Sequence, residues 1–317
     1  MVVSVILVVL GFVGLIYGAN WLVDGASSLA KKNNISDLVI GLTIVAFGTS
    51  APELVVNSVA STVGFSDIVL GNVIGSNNFN LFIILGIASL VYPIAVQNST
   101  TKGEIPISLI VTIVVLVLAN DYFLGSTSSI SRIDAVVLLL MFGGFLYYIF
   151  RQLKNQKPEK TELDSKSNAK ITGLILVGFV GLIVGGKLVV DNAVTIATDL
   201  GVSQKIIALT IIAAGTSLPE LVTSVVAAMK KNSDIAIGNV IGSNIFNLLL
   251  VLPVSALINA IQYDTVFNQD LWILSGGTVF LVFAILTGKH RNISRIQGFM
   301  LLSFYLVYTG YLVSKEL

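Results

Sequence analysis

Long apolar stretches alternate with short polar segments along the whole chain, and ten of these stretches approach the length of a membrane span. A helix that crosses the hydrocarbon core of a bilayer needs about 20 mostly apolar residues. Lipid offers the backbone no hydrogen-bond partner, so such runs predict helices rather than the shorter, alternating strands of a membrane barrel. The predicted spans are 2–23, 37–61, 67–91, 105–119, 133–150, 171–198, 205–229, 234–258, 271–287 and 296–313.

Positive residues are unevenly distributed between the loops that connect these spans. When loops are assigned alternately to the two sides, starting outside at Met1, fourteen lysines and arginines fall on one side and three on the other. Cytoplasmic loops are enriched in Lys and Arg. The sequence therefore predicts that both termini face the exterior and that the polar, charged linker 151–170 lies in the cytoplasm.

Two sequence blocks occur twice, and the same offset along the chain separates the copies of each. Residues 43–55 (TIVAFGTSAPELV) match residues 210–222 at ten of thirteen positions, and residues 66–81 match residues 233–248 at thirteen of sixteen. The chain thus divides into two five-span halves, 1–150 and 171–317. Because five is odd, the second half enters the membrane from the opposite side, as in the inverted repeats of many secondary transporters.

Each half carries the motif Gly-Thr-Ser-x-Pro-Glu deep within an apolar span, ending at Glu53 and at Glu220. Proline has no N–H and disfavours helix just upstream, so the motif predicts a helix break that frees carbonyl oxygens. A membrane tolerates such a break where it lines a cavity or binds a ligand. A mid-membrane glutamate needs a partner, a proton or an ion. The alternative interpretation is a proline kink whose glutamate is neutral and hydrogen-bonded.

The next span of each half carries polar residues on one helical face, because residues four apart are neighbours on a helix. The polar residues are Asn72, Ser76, Asn77 and Asn80 in the first half and Asn239, Ser243, Asn244 and Asn247 in the second. This stripe predicts the lining of an ion site. The alternative is that the stripe and the nearby Gly-x-x-x-Gly pairs only hold helices together.

The motifs and stripes together supply only oxygen ligands: carboxylates, hydroxyls, amide oxygens and freed carbonyls. Such a set selects a hard cation rather than zinc or copper. Calcium accepts about 6–8 oxygens in flexible geometry, whereas magnesium demands a rigid octahedron. Two glutamates carry two negative charges, which one divalent or two monovalent cations neutralise. The two kinds of ion would compete for the same oxygens, and such competition with alternating access is antiport.

Composition excludes several other classes of protein. Hydrophobic residues make up 55% of the 317 residues and charged residues 11%, where soluble domains carry about 25% charged residues. The net charge of +1 and the lack of a basic patch argue against nucleic-acid binding. There is no cysteine for thiolate chemistry, and no phosphate loop or nucleophile elbow. The sequence therefore predicts neither an enzyme nor a protein with a cofactor.

With these motifs the chain resembles the calcium/cation antiporter superfamily, and in particular the prokaryotic sodium/calcium exchangers. Residues 37–91 and 204–258 look like the two alpha repeats of that family. The resemblance implies an all-α integral membrane protein of ten helices in two inverted five-helix repeats, with broken helices at the midplane. It further implies four clustered cation sites, in which Glu53 and Glu220 bind calcium together with the backbone carbonyls of Thr49 and Thr216.

The resemblance also implies roles for the residues around the glutamates. One sodium site would contain Ala46, Ser50, Glu53 and Ser243, and its mirror would contain Ala213, Ser217, Glu220 and Ser76. Asn80 and Asn247 would flank the middle site. Some relatives carry Asp at one of these two positions, and the potassium-dependent branch uses acid here, so asparagine at both disfavours potassium co-transport.

The sequence therefore predicts sodium/calcium exchange across a prokaryotic plasma membrane, with no cofactor and no obligate protein partner. The resemblance favours more than two sodium ions per calcium, which would make the exchange electrogenic. Two alternatives stay open. One is proton-coupled calcium antiport on the same fold, and the other is a cation channel, although channel filters are usually built by several subunits around an axis.

Overall fold

The structure is a computed structural model that describes residues 1–120, 128–155, 166–201, 213–287 and 291–316. Within these ranges the chain is almost entirely helical, as the apolar runs predict. Seven helices of the described residues are long and apolar enough to cross a membrane. The number is eight if the bent pair Asp37–Thr49 and Ala51–Val63 counts as one span.

The helices follow the ten predicted spans wherever the structure describes them. In the first half they are α1 (Val2–Asn33), α2 (Asp37–Thr49), α3 (Ala51–Val63), α4 (Ser66–Val91), α5 (Asn98–Lys102), α6 (Glu104–Ala119) and α7 (Arg132–Asn155). In the second half they are α8 (Asn168–Asp199), α9 (Ala213–Gly215), α10 (Leu218–Met229), α11 (Ser233–Ile258), α12 (Asn268–Thr287) and α13 (Arg295–Glu316). The start of the predicted span 205–229 lies outside the described residues.

The two helices that carry the polar stripes occupy the centre of the molecule. In α4 and in α11, 78% of the most apolar stretch is buried, against 28% in α1 and 22% in α7. Large apolar side chains of α1 and α7 are exposed instead, as lipid-facing helices require. The polar stripes are therefore enclosed by other helices rather than presented to lipid.

Both central helices contain a π-helical turn near the end of the polar stripe. The turn spans Phe79–Ile84 in α4 and Asn247–Val251 in α11. Such turns insert an extra residue into an α-helix and are frequent at functional sites. Asn80 and Asn247 both lie within these turns, so their backbone differs locally from that of a regular helix.

Two short antiparallel strand pairs connect the halves. Strand β1 (Ile94–Ala95) pairs with β4 (Asn292–Ile293), and β2 (Ser129–Ile130) pairs with β3 (Ile261–Gln262). Strand β3 follows β1 at the same offset that separates the repeated sequence blocks, and β4 follows β2 at nearly the same offset. Each pair therefore joins a strand of one half to a strand of the other, and the same connection is made twice.

Helices α1 and α8 pack along each other through glycines. A Cβ atom added at Gly18 would lie 2.8 Å from the backbone nitrogen of Leu182 and 2.9 Å from the carbonyl oxygen of Gly178. One added at Gly185 would lie 2.7 Å from the carbonyl oxygen of Gly11. Small residues let backbones approach this closely, which is how helices associate in lipid.

We expect Gly18→Ala to destabilise the protein, because the added methyl group must force α1 and α8 apart. Gly173→Ala in α8 is the matched control, since nothing lies within 4 Å of a Cβ atom there. Alanine is favoured over glycine within a helix by about 1 kcal/mol, so the control should be neutral or stabilising. Thermal unfolding of the purified parent protein and of both variants in detergent measures these effects. Equal melting temperatures for Gly18→Ala and Gly173→Ala would contradict the close-packing interpretation.

Candidate cation site

The Thr-Ser-x-Pro motif interrupts the helix in both halves. Helix α2 ends at Thr49, α3 begins at Ala51, and the two are bent by 44°. Ser50 joins them with φ −86° and ψ 3°, and Ser217 precedes α10 with the similar angles φ −91° and ψ 9°. In each half a proline stands in the first turn of the following helix, where its missing N–H costs no helical hydrogen bond.

The two glutamates that follow these breaks are buried and face the opposite half. Glu53 and Glu220 are each 1% exposed. The Ser50 hydroxyl donates to Glu220 Oε1 at 3.0 Å, and the Ser217 hydroxyl lies 3.5 Å from Glu53 Oε1. Among the described residues neither glutamate forms an ion pair. Both carboxyl groups therefore meet at the interface of the halves without a protein cation.

The polar stripes of α4 and α11 border the same interface. Ser76 Oγ lies 3.0 Å from the Ser217 hydroxyl. The amide nitrogen of Asn80 donates to Asn244 Oδ1 at 3.0 Å, and that of Asn247 donates to Asn77 Oδ1 at 3.1 Å. These bonds all cross from one half of the chain to the other.

Several buried oxygens at this interface have no hydrogen-bond partner within the described ranges. They are Oε2 of Glu53, Oε2 of Glu220, Oδ1 of Asn80, Oδ1 of Asn247 and Oγ of Ser243. A buried polar atom without a partner costs about 1–3 kcal/mol and requires an explanation. All five belong to the residues predicted to bind cations, and a hard cation is the ligand that such oxygens accept.

The two ends of the site differ in exposure. At one end the Thr49 hydroxyl donates to Asn239 Oδ1 at 3.0 Å, and both residues are fully buried. At the other end Asn72 Nδ2 lies 3.5 Å from Thr216 Oγ1, and both residues are partly exposed. The two motif copies are nearly identical in sequence, so this difference lies in how the surrounding helices pack.

A group of polar contacts, the Lys230 cluster, ties α1 and α2 to the loop after α10 on the side of the buried Thr49 end. Lys230 Nζ donates to Asp24 Oδ1 at 2.8 Å and to the carbonyl oxygen of Asn20 at 3.0 Å. Asn232 Nδ2 donates to Asp37 Oδ2 at 2.7 Å and to Ser27 Oγ at 2.9 Å. These contacts lie at the end of the molecule at which α2 and α11 begin, where Asp37, Lys230 and Asn232 also line an open cavity of about 610 Å³.

The two alanines predicted at the sodium sites contribute only backbone atoms. The Ala46 carbonyl oxygen accepts the Ser50 N–H at 3.0 Å, so it is already engaged within the helix. Ala213 begins α9, and its side chain lies outside the described residues.

Sequence reasoning missed two residues one turn after the glutamates. Asn57 Nδ2 donates to the backbone oxygen of Glu53 at 2.7 Å. Ser224, at the corresponding place in the second half, accepts from Asn239 Nδ2 at 2.9 Å, and that same nitrogen lies 3.3 Å from the Glu220 backbone oxygen. The offset that relates the repeated blocks also separates Asn57 from Ser224 and could have identified them. The two residues differ in type, however, and lie just beyond the repeated blocks.

Comparison with known proteins matches this geometry to one family over nearly the whole chain. The family model described as sodium/calcium exchanger protein matches residues 3–151 and 170–314. The chain belongs to the sodium/calcium exchanger family. It is therefore a multi-span, all-α membrane protein of a transporter family, as the sequence predicts.

Individual members of the exchanger family align with the chain from end to end. The putative antiporter CaxA of Alkalimonas amylolytica is 37% identical over 99% of this chain and 100% of its own length. The sodium/calcium exchanger MaX1 of Methanosarcina acetivorans is 30% identical over 96% of this chain and 97% of its own. The solved sodium-calcium exchanger NCX_Mj, soaked with 10 mM Na⁺, superposes with a TM-score of 0.83 at 34% identity, covering 97% of this chain and 98% of its own.

Proposed function

We propose that the chain is a secondary active antiporter that exchanges sodium for calcium by alternating access to the site between the two halves. One observation carries this proposal: on the residues predicted to bind cations, five buried oxygens from both halves have no hydrogen-bond partner among the described residues. The exchanger names of the relatives support the same assignment.

The charge of the site determines which ions it can hold. Among the described residues no cluster of three or more His, Cys, Asp and Glu is present, so the fixed charge of the site is that of Glu53 and Glu220. With both ionised, one calcium ion or two sodium ions give a neutral loaded state. A third sodium ion leaves one positive charge, and the exchange then moves charge across the membrane.

We assign the ligands as the family resemblance does. Glu53 and Glu220, with the carbonyls of Thr49 and Thr216, hold calcium, and Asn80 and Asn247 flank it. The sodium sites consist of Ala46, Ser50, Glu53 and Ser243 on one side and of Ala213, Ser217, Glu220 and Ser76 on the other. The bonds from Ser50 to Glu220 and from Ser217 to Glu53 support a shared site, because each joins the two halves.

We also propose that the architecture is a ten-helix inverted repeat with both termini exterior and the linker 151–170 cytoplasmic. The strand pairs β1–β4 and β2–β3 support the repeat, since each pairs a strand of one half with a strand of the other and the two pairs correspond. With the lysine-rich loops in the cytoplasm, the buried Thr49–Asn239 end faces inward and the partly exposed Thr216–Asn72 end faces outward. This conformation would be open to the exterior.

Neutralising one glutamate should weaken calcium binding. Glu53→Gln or Glu220→Gln keeps the shape of the side chain but removes one of two charges from a low-dielectric site, and we expect a loss of roughly a hundredfold or more in calcium affinity. Isothermal titration of the purified variants with calcium measures this.

Glu104→Gln is the matched control for this substitution. Glu104 is also a fully buried glutamate, but its Oε1 accepts from the Tyr148 hydroxyl and from Gln152 Nε2, away from the site. We expect this variant to retain calcium affinity. If both site variants bind calcium as well as the parent protein does, the cation site is not at these glutamates.

The direction and coupling of transport can be tested in proteoliposomes loaded with sodium. We expect calcium uptake to require an outward sodium gradient. If more than two sodium ions leave per calcium, net positive charge leaves the vesicle, so an imposed interior-positive potential should increase uptake and an interior-negative one should decrease it. Uptake of radioactive calcium under separate sodium, proton and potential gradients measures each dependence.

The alternative functions predict different dependences of calcium uptake in the same vesicles. A proton-coupled antiporter would respond to a pH gradient without sodium, and a channel would pass calcium with neither gradient. Sodium-driven uptake that ignores the potential would contradict electrogenic exchange while leaving antiport intact.

The lysine asymmetry predicts the sidedness of the chain, and single cysteines can test it because the chain has none. A cysteine in the linker 151–170 should react with an impermeant maleimide only after the cells are opened. A cysteine in place of Val2 at the amino terminus should react in intact cells. The reverse labelling pattern would overturn the proposed orientation.

A further inference from the structure

Two asparagines beside the site bind each other's backbone across the interface of the halves. Asn77 Nδ2 donates to the carbonyl oxygen of Asn244 at 3.1 Å, and Asn244 Nδ2 donates to the carbonyl oxygen of Asn77 at 3.2 Å. Asn77 is 0% exposed and Asn244 2% exposed. Because each amide nitrogen is committed to a backbone oxygen, the rotation of each carboxamide group is fixed.

With their orientation fixed, the side-chain oxygens of Asn77 and Asn244 accept hydrogen bonds from two further asparagines. Asn77 Oδ1 accepts from Asn247 Nδ2 at 3.1 Å, and Asn244 Oδ1 accepts from Asn80 Nδ2 at 3.0 Å. The NH₂ groups of Asn80 and Asn247 are thereby engaged. The Oδ1 atoms of the same two residues are buried and accept no hydrogen bond from any described residue.

A carboxamide group has an oxygen on one side and an NH₂ group of nearly the same shape on the other. A cation needs the oxygen, and a rotation by half a turn would present two N–H donors to it instead. An acceptor next to the NH₂ group prevents this rotation, since an amide oxygen turned towards that acceptor would have no hydrogen to donate. The residue that supplies the acceptor therefore controls whether the amide can serve as a cation ligand.

We propose that Asn77 and Asn244 are positioning residues that orient the amides of Asn247 and Asn80, respectively, with their oxygens towards the transported cation. The inference rests on the proposed function, because it assumes that those two amides contact the cation. It adds two residues that do not themselves bind the ion, and it gives their hydrogen bonds a role in affinity as well as in packing.

Leucine at each position tests the proposal. Asn77→Leu and Asn244→Leu remove the acceptor while keeping a side chain that branches at the same carbon. Loss of a group that orients a ligand commonly costs about 10–100-fold in metal affinity. We expect the KM for calcium to rise by about tenfold or more in sodium-loaded vesicles, with a much smaller change in kcat, and the calcium Kd of the purified protein to rise in parallel.

Asn78→Leu is the matched control. Asn78 lies next to Asn77, is 1% exposed, and donates to the carbonyl oxygen of Asp270 rather than to a residue of the site. We expect this variant to lose stability without a change in the KM for calcium. If the asparagines served only to hold helices together, Asn77→Leu and Asn78→Leu would behave alike.

A double variant separates positioning from a general structural effect. If Asn77 acts through Asn247, then Asn77→Leu should raise KM little further once Asn247→Ala has removed the ligand. If the KM of the double variant instead rises by the product of the two single-variant increases, the two residues act independently and the proposal is overturned. The hydrogen bond from Asn80 to Asn244 allows an independent double-mutant cycle with Asn244→Leu and Asn80→Ala. This second cycle tests the proposal if Asn77→Leu does not give monodisperse protein.

The same measurements distinguish the inference from the proposed function. Parent protein that shows no sodium-driven calcium uptake would contradict the proposed function. Parent protein that exchanges sodium for calcium, with positioning variants whose KM equals that of Asn78→Leu, would contradict the inference alone.

Discussion

The central physical constraint on the structure is the burial of two carboxyl groups at the interface of the halves with no ion-pair partner among the described residues. Glu53 and Glu220 are each 1% exposed, and each has one oxygen near a serine hydroxyl and one that accepts no hydrogen bond from the part of the chain that the structure describes. Burying an unpaired carboxylate is so unfavourable that such a group normally gives up its charge. A carboxylate in such a place can remain charged only when a cation neutralises it, and this requirement is the physical basis of the proposed cation site.

The sequence left two interpretations of the polar stripes, helix packing or ion-site lining, and in the structure the two are compatible. The amide nitrogens of Asn80 and Asn247 bond to the opposite half, while their oxygens have no partner. One end of each amide thus holds the helices together and the other stays available for a ligand. The double use also explains why asparagine suits these positions: a carboxylate has no N–H to donate to Asn77 or Asn244.

The sequence predicts those features of the structure that depend on residues close together along the chain. Apolar runs and the proline in the helix are properties of short segments, so they predicted the helices and the break at Ser50. The role of Asn57, the π-helical turns and the direction of each amide depend on contacts between distant segments. Asn77 was visible as part of a stripe, but only the carbonyl of Asn244, in the other half of the chain, fixes its orientation.

The difference between the two ends of the site also depends on contacts between segments that are distant in the sequence. The residues around the glutamates repeat almost without change, so the two halves offer nearly the same side chains to the interface. The flanking loops do not repeat: at the offset that relates the two halves, Lys230 and Asn232 correspond to Val63 and Phe65. The Lys230 cluster therefore has no polar counterpart at those two positions, where both side chains are exposed and apolar. The polar contacts that distinguish the two ends therefore come from the flanking loops and not from the repeated motifs.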